Sequence, residues 1–280
     1  MNGIIDTGGG LRDIFGAGVL DYCIEHQICF DYALGVSAGS ANLVAYIAGQ
    51  EGRNVHFYTE YARRKEYMSR ENFFRKKNYV DLDYVYGTLS NDGGENPVDW
   101  QAYENNPIPF VVVATDAETG KPRYFTGEDI HPNDLGIIKA SCTLPVVNTP
   151  RRIRGVPYYD GGVADPVPIR HALEDGCRKV VLILTKPYDY VRTSTFTVKF
   201  GARVVGRRYP AVRKALLHRA DAYNRSVEEA KKLEKQGRVL ILAPDDISGL
   251  STLTVDVDKQ MALYEEGYRK AAGIRAFLDA

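Results

Sequence analysis

The sequence predicts an α/β fold in which a mainly parallel sheet is covered by helices on both faces. Short apolar runs typical of strands alternate along the chain with longer runs typical of helices, which is the pattern of such folds. Two apolar runs, residues 110–114 and 180–184, contain no polar side chain. Runs of this kind are expected for strands that are buried on both faces of the sheet.

Each further element rests on a local pattern of its own. The first helix is predicted from an apolar stripe of Phe15, Val19 and Cys23. Short apolar runs predict the other strands, at residues 4–5, 32–34, 158–159 and 239–242. Longer helical patterns predict the other helices, at residues 42–48, 53–70, 135–140, 170–175 and 257–280. Two segments show neither pattern clearly. They are an aromatic stretch at residues 73–86 and a polar surface loop at residues 90–94.

Length and composition exclude several classes of protein. The 280 residues fit one large domain, and no repeat or low-complexity linker divides them. The 36 basic and 36 acidic side chains cancel, so no overall charge favours nucleic acid as a partner. No run reaches the roughly 18 apolar residues of a membrane span, and no export leader is recognisable. The four cysteines are scattered, so we expect a cytoplasmic protein without a disulfide framework, metal or cofactor.

A serine between small residues is the most informative feature of the chain. It lies in Gly-Val-Ser-Ala-Gly at residues 35–39, directly after a predicted strand. A sharp strand-to-helix turn that presents a hydroxyl nucleophile needs small neighbours, which Gly35 and Gly39 supply. Ser37 would then lie near a helix N-terminus, where free N–H groups favour developing negative charge. The alternative is an ordinary serine in a glycine-rich loop.

Three consecutive glycines, Gly8, Gly9 and Gly10, follow the first predicted strand. Such a loop lets the backbone approach a substrate closely, and its N–H groups suit an oxyanion or a phosphate equally well. A strand, a glycine loop and a helix also form dinucleotide sites, which remain an alternative. The dinucleotide fingerprint requires glycine at the sixth position, where this chain has Asp13, so nucleotide binding is the weaker interpretation.

The third feature is Asp160, followed by Gly161 and Gly162 at the end of a predicted strand. Two glycines allow this carboxylate to lie tightly against another loop, and the alternative is a simple Asp-Gly turn. A hydroxyl nucleophile needs a base, which is usually histidine. Only His171 and His218 follow Asp160 in the chain order of an α/β-hydrolase triad, and neither lies in a loop of small residues.

We therefore predict that Asp160 acts as the base in a dyad with Ser37, and a Ser-His-Asp triad remains the weaker alternative. An exposed aspartate is a feeble base toward a hydroxyl group. Burial in a partly apolar site would raise its pKa toward the working range. Such a dyad suits activated esters and thioesters better than amides.

A basic stretch, residues 190–220, contains eight Lys and Arg side chains, interspersed apolar residues and no acidic residue. A basic amphipathic stretch can lie on an anionic bilayer, which would place the protein peripherally at the inner face of the membrane. The alternative is a solvated helix packed on the domain. Nucleic acid is not expected as a partner, because no recognition motif accompanies the charge. We predict weak, salt-sensitive binding to anionic vesicles through Arg203, Arg207 and Arg208.

Together the three motifs resemble those of patatin-like phospholipases. Residues 8–12, 35–39 and 160–162 occur in the order and spacing of that family, and the linking segments also fit, at residues 115–120, 140–145 and 165–168. The resemblance covers residues 3–186 and is weaker afterwards. We therefore expect one patatin-like domain, residues 1–280, in which residues 187–280 form an extension packed on the core.

The resemblance implies a three-layer α/β/α fold and a Ser-Asp dyad that hydrolyses lipid acyl esters without a metal. By position, Ser37 would be the nucleophile and Asp160 the base. The remaining implied site residues surround these two: Gly8, Gly9, Gly10 and Leu11 as oxyanion-hole N–H donors, and Arg12, Gly35, Gly39, Gly161 and Gly162 as substrate-binding or supporting residues. Arg12 would hold the glycine loop or meet a phosphate.

One departure from the family pattern concerns Asp13, where the family usually has glycine. An acidic side chain there would repel an anionic headgroup or narrow the pocket. The predicted function is nevertheless a serine acyl hydrolase that acts on a lipid or other acyl ester through an acyl-Ser37 intermediate. The alternatives are an acyltransferase with the same dyad and a non-catalytic lipid- or acyl-binding protein.

Overall fold

The predicted apolar runs form strands, and all eight strands of the protein belong to one sheet. The computed structural model describes all 280 residues. The strands are β1 (Asn2–Asp6), β2 (Tyr32–Val36), β3 (Phe110–Asp116), β4 (Pro122–Thr126), β5 (Arg151–Ile153), β6 (Val156–Asp160), β7 (Lys179–Ile183) and β8 (Val239–Leu242). Their order is β5-β6-β3-β2-β1-β7-β8, with β4 on β3.

The centre of the sheet is parallel and one end is mixed. Strands β3, β2, β1, β7 and β8 are joined by parallel pairings. Strands β4 and β6 run antiparallel to β3, and β5 runs antiparallel to β6. The predicted α/β fold with a mainly parallel sheet is confirmed.

Helices cover both faces of this sheet. They are α1 (Ile14–Glu25), α2 (Ala38–Ile47), α3 (Arg53–Thr59), α4 (Arg70–Lys76), α5 (Trp100–Asn105), α6 (Gly136–Ser141), α7 (Ile169–Glu174), α8 (Phe196–Val205), α9 (Pro210–Glu234), α10 (Val257–Lys270) and α11 (Ile274–Asp279). Neighbouring strand residues point to opposite faces, so Ile4 packs with α1, α2 and α6 while Ile5 packs with α7 and α9. The result is three layers, with one apolar core on each face.

Two predicted helices are broken in the structure. The run at residues 53–70 forms only α3, a short 3₁₀ turn and the first residue of α4, because the chain bends to bury Tyr58, Tyr61 and Tyr67. The run at residues 257–280 is interrupted between α10 and α11, where an Ala-Ala-Gly turn buries Ala271. Tertiary burial overrides helical periodicity in both places.

The register around β3 brings two distant loops together. Strand β2 pairs with residues 110–113 of β3, and β6 pairs with residues 114–116. Because β4 occupies the opposite edge of β3, β2 and β6 approach each other end to end along the same edge. Asp160 ends β6 and Ser37 directly follows β2, so the two side chains are brought side by side.

Residues 187–280 contribute to every layer of the fold. Strand β8 extends the sheet beyond β7, α9 supplies apolar side chains to one face, and α10 packs against α1 on the other. None of the helices has the length and apolar character required to span a bilayer.

Candidate active site

Ser37 occupies a strained turn between β2 and α2. Its φ of 56° and ψ of −132° are rare for a residue with a side chain. The turn is held by hydrogen bonds: the Ser37 N–H donates to Ser141 Oγ at 2.8 Å, and Ser141 Oγ donates to the Val113 carbonyl at 2.6 Å. Gly39 is required here, because a Cβ would overlap the backbone oxygen of Asp6. Distant residues therefore stabilise a local conformation that exposes the hydroxyl group.

The Ser37 hydroxyl donates a hydrogen bond of 2.6 Å to Asp160 Oδ2. The other carboxylate oxygen, Oδ1, accepts from the Gly162 N–H at 2.8 Å. Asp160 is only 2% exposed. The carboxylate is therefore oriented with one oxygen toward the backbone and the other toward the serine.

Burial raises the pKa of Asp160 above its ordinary value, because desolvation penalises the charged form. Four groups oppose this shift: the positive charge of Arg219, the hydrogen bond from Ser37, the Gly162 N–H and the positive charge of Arg192. The resulting carboxylate is a stronger base than an exposed aspartate, which is what proton removal from a hydroxyl group requires.

The pKa of Asp160 predicts an acidic limit to activity. A base must be ionised, so kcat/KM should fall with decreasing pH, and the fall should begin at a higher pH than an exposed aspartate would give. Arg219→Met removes a positive charge that favours the ionised form, so the acidic limb should move to higher pH. Arg219→Lys keeps the charge and serves as the control. This expectation is tested by measuring kcat/KM for a neutral ester as a function of pH. Identical acidic limbs for the unaltered protein and the Arg219→Met variant would contradict it.

The glycine loop adopts conformations that only glycine tolerates easily. Gly8, Gly9 and Gly10 have φ values of 64°, 154° and 62°, and a Cβ on Gly9 would overlap Thr185 Oγ1. The loop therefore packs against Thr185, which lies just beyond the end of β7.

Two of the four N–H groups that were predicted as oxyanion donors have no acceptor within the protein. The Gly8 N–H already donates to Asp6 Oδ1 at 3.0 Å, and the Leu11 N–H donates to the Thr252 carbonyl at 2.8 Å. The N–H groups of Gly9 and Gly10 have no acceptor within the protein, and both residues line the cavity that contains Ser37. Gly8 and Leu11 instead hold the loop in place.

The position of Asp13 differs from the expectation from the sequence. It is fully buried beneath the glycine loop beside Asp6 and does not line the cavity. Burial raises the pKa of Asp6 to about 6, and burial together with the Asp6 charge raises the pKa of Asp13 well above its usual range. The raised pKa favours the protonated, neutral form of Asp13, and Asp6 accepts from the Gly8 N–H. The pair supports the loop and leaves the pocket open.

The other predicted supporting residues lie around the same loops. Three of the glycines lie so close to another residue that an added Cβ would contact or overlap it. These pairs are Gly35 with Ser40, Gly161 with Val113 and Gly162 with Arg219. Arg12 lines the cavity, with Nη1 3.5 Å from Thr252 Oγ1.

The two histidines of the alternative triad lie elsewhere. The His171 ring stacks on Tyr124 at 3.5 Å, and His218 Nδ1 lies 2.8 Å from the Lys214 carbonyl oxygen. Neither lines the cavity, so the structure does not assemble a Ser-His-Asp triad around Ser37. No group of three or more histidine, cysteine or acidic side chains is arranged to hold a metal ion.

The cavity at Ser37 has a polar and an apolar part, which share Gly10, Ser37, Leu144 and Thr252. The polar part has a volume of about 90 Å³ and contains Asp160 and the glycine loop. The apolar part has a volume of about 30 Å³, and its walls include Leu11, Phe57, Tyr67, Leu82, Tyr86 and Leu253. Ser37 therefore lies at the junction of two chemically different surfaces.

Three basic residues of the polar part were not identified from the sequence as site residues: Lys186, Arg192 and Arg219. Lys186 follows the carboxyl end of β7, and ligands of α/β proteins usually bind at the carboxyl ends of the strands. Its position after a predicted strand could therefore have identified it as a site residue. Arg192 and Arg219 lie within the basic stretch, which the sequence analysis assigned as a whole to the surface.

Two family models match different parts of the chain. A family model described as patatin-like phospholipase matches residues 7–173, more than half of the chain. A second model, of a domain of unknown function (DUF6363), matches residues 209–278.

Three individual proteins illustrate the similarity. The uncharacterized protein YjjU of Escherichia coli K12 is 32% identical over 187 residues, which cover 66% of this chain and 52% of YjjU. Lysophospholipase NTE1 of Debaryomyces hansenii is 26% identical over 286 residues, which cover 95% of this chain and 17% of that protein. The crystal structure of VipD from Legionella pneumophila aligns with a TM-score of 0.49 and 15% identity, over 99% of this chain and 66% of VipD. The matched region thus spans about half the length of YjjU and a smaller part of NTE1.

On the match over residues 7–173, the chain belongs to the patatin-like phospholipase family, a family of lipid acyl hydrolases.

Proposed function

We propose that the protein hydrolyses an acyl ester of a lipid through a covalent acyl-Ser37 intermediate, with Asp160 as the base. The observation that carries this proposal is the 2.6 Å hydrogen bond from Ser37 Oγ to the buried Asp160 carboxylate, beside two N–H groups without acceptors. Nucleophile, base and oxyanion donors are the three parts that acyl transfer requires.

Acylation begins when Ser37 Oγ attacks the ester carbonyl carbon while Asp160 takes the hydroxyl proton. The carbonyl oxygen becomes an oxyanion, which the N–H groups of Gly9 and Gly10 stabilise together with the positive end of the α2 dipole. Asp160 then returns the proton to the leaving alcohol as the C–O bond breaks. Water attacks the acyl-serine, Asp160 accepts its proton and passes it to Ser37 Oγ, and the fatty acid is released.

The two parts of the cavity favour one orientation of the substrate. The apolar part, with aromatic side chains such as Phe57 and Tyr86, suits an acyl chain, because burying hydrocarbon there removes it from water. The polar part suits the alcohol half of the ester.

A fluorophosphonate probe tests the proposed chemistry directly, because it reacts only with an activated serine. We expect labelling of Ser37 in the folded protein and turnover of a panel of acyl esters that differ in chain length. Product analysis with and without an added alcohol separates hydrolysis from acyl transfer. Lipid binding without labelling and without turnover would instead favour a non-catalytic lipid-binding protein.

We further propose that α8 brings this site to the surface of an anionic membrane. Phe196, Phe200 and Val204 lie four residues apart on α8, and their side chains are 83%, 58% and 41% exposed. An apolar stripe of this kind can enter the interfacial region of a bilayer. Exposed basic side chains lie next to the stripe: Lys199, Arg203, Arg207 and Arg208.

The position of α8 agrees with this orientation. Gly201 of α8 packs against Val146, which is itself exposed and lies two residues after Leu144 in the wall of the cavity. A membrane that contacts α8 would therefore lie close to the cavity.

Vesicle sedimentation tests the membrane proposal. The protein should bind phosphatidylserine-containing vesicles more strongly than phosphatidylcholine vesicles, and added salt should weaken the binding. Phe196→Ser together with Phe200→Ser should reduce binding by about tenfold or more, since two large apolar side chains are lost. Phe74→Ser is the matched control, because Phe74 is an exposed phenylalanine on α4. Equal binding to neutral and anionic vesicles would contradict the proposal.

A further inference from the structure

Four cationic side chains line the polar part of the cavity: Arg12, Lys186, Arg192 and Arg219. The one carboxylate in its wall is Asp160, the base of the proposed dyad. None of the four cations lies within 4 Å of a carboxylate oxygen, since every ion pair of the protein involves other residues. The four positive charges of the cavity wall therefore exceed its one negative charge, that of Asp160.

Two of these cations have a buried nitrogen atom without a hydrogen-bond partner, and the backbone of a third is fixed by a neutral side chain. Arg12 is only 6% exposed and its Nε has no hydrogen-bond partner. The buried Nε of Arg219 also lacks a partner. The Arg192 backbone is joined to the Asn224 side chain by hydrogen bonds of 2.8 and 2.9 Å.

Aromatic rings complete this arrangement. The Arg192 guanidinium lies 4.9 Å from the Tyr223 ring centroid, and Lys186 Nζ lies 4.7 Å from that of Tyr190. Stacking of this kind orients a cation while its N–H groups remain free to bind an anion.

Holding four like charges near a single counter-charge is unfavourable. Burial and the charges of Arg12 and Arg192 lower the pKa of Lys186 to about 8, and burial with the charge of Arg192 lowers the pKa of Arg12. Buried cations are normally paired. Unpaired donors converging on one small cavity are therefore expected where a ligand supplies the negative charge.

The location of the charge identifies which part of the substrate is anionic. The cations lie in the polar part, whereas the acyl chain is assigned to the apolar part on the other side of Ser37. The anionic group must then belong to the alcohol half of the ester. A quaternary ammonium headgroup would bring another cation to the same place and would be repelled.

We propose that the substrate carries a phosphate monoester on the alcohol side of the scissile ester, as phosphatidate and lysophosphatidate do. This inference rests on the proposed function, because it takes Ser37 as the nucleophile. A phosphate monoester bears about −1.5 to −2 charges at pH 7 and has three acceptor oxygens. It can accept charge-assisted hydrogen bonds from several guanidinium and ammonium groups at once.

Substrate preference is the first test. We compare kcat/KM for lysophosphatidate, lysophosphatidylcholine and monoacylglycerol with the same acyl chain in the same mixed micelles. The phosphate monoester should be preferred by about tenfold or more. Lys186→Gln and Arg192→Gln should each reduce that preference, and circular dichroism checks that both variants fold. Arg225→Gln is the matched control, because Arg225 is an exposed arginine on α9 without an ion pair.

Binding is the second test and does not depend on turnover. Titration calorimetry with glycerol 3-phosphate and the Ser37→Ala protein should detect binding that Lys186→Gln and Arg192→Gln weaken and Arg225→Gln does not. Inorganic phosphate in a parallel titration distinguishes a headgroup site from a site for the free ion. Phosphate binding without any preference among the three esters would overturn the headgroup assignment.

The outcomes separate this inference from the proposed function. If Ser37 is labelled but kcat/KM is equal for the three esters, the proposed hydrolase function is supported. The proposal of a phosphate monoester substrate is then overturned. If Ser37 is not labelled and no ester is cleaved, the proposed hydrolase activity is overturned. Calorimetry then tests the anion site by itself. The anion site is then supported when glycerol 3-phosphate binds through Lys186 and Arg192, and it is overturned when it does not.

Discussion

Replacing Ser37 by alanine is expected to reduce ester hydrolysis by roughly 10⁴-fold or more, the range seen when the nucleophile of a serine hydrolase is removed. The reason is that Ser37 Oγ is the hydroxyl group that donates to the Asp160 carboxylate, beside the free N–H groups of the glycine loop. Turnover of a neutral ester and labelling by a fluorophosphonate probe measure the effect, and circular dichroism verifies that the fold survives.

Two further variants sharpen this experiment. Asp160→Asn keeps the shape of the side chain but cannot accept the proton, so it should also lose most activity. The double variant should be hardly worse than either single one, because the two residues act as a unit. Ser248→Ala replaces an exposed serine and should behave like the unaltered protein. Turnover retained by the Ser37→Ala protein would remove the basis of the proposed mechanism.

Gly9→Ala is expected to lower kcat by about 10²–10³-fold, the usual cost of losing one oxyanion donor. A methyl group at this position would overlap Thr185 Oγ1, and the φ of 154° is unfavourable for alanine. The loop must therefore shift, which moves the Gly9 N–H away from the developing oxyanion. The KM for a neutral ester should change less than kcat, because the donor acts mainly in the transition state.

The matched control for this variant is Gly93→Ala. Gly93 also has a positive φ, of 78°, but nothing lies within 4 Å of a Cβ there. It therefore imposes a similar backbone strain far from the site and should leave kcat unchanged. A folded Gly9→Ala protein with full activity would show that the glycine loop does not supply the oxyanion donors.

Much of the site is readable from the sequence because its requirements are local. A sharp turn at Ser37 needs small neighbours, and a carboxylate that ends a strand can be held by a following glycine N–H, as Asp160 is by Gly162. The strands β3 and β7 are buried on both faces of the sheet, so their residues form uninterrupted apolar runs that can be recognised in the sequence.

Features that depend on distant partners were harder to predict. The sequence did not show which N–H groups of the glycine loop are free, because the Leu11 N–H donates to the Thr252 carbonyl, some 240 residues away. The direction of Asp13 likewise depends on its burial against Asp6. The helices at residues 53–70 and 257–280 broke because aromatic and small side chains are buried at the interruptions.

The sequence by itself determined the α/β class, the positions of the main strands along the chain and the three motifs, since each depends on residues that are neighbours in the chain. Only the tertiary structure decided which basic residues enter the cavity. Lys186 arrives from the end of β7, Arg192 from the loop before α8 and Arg219 from α9, while α8 between them turns its phenylalanines outward. One basic stretch is thereby divided between a binding cavity and an exposed surface, because the packing of α9 on the sheet sets the direction of each side chain.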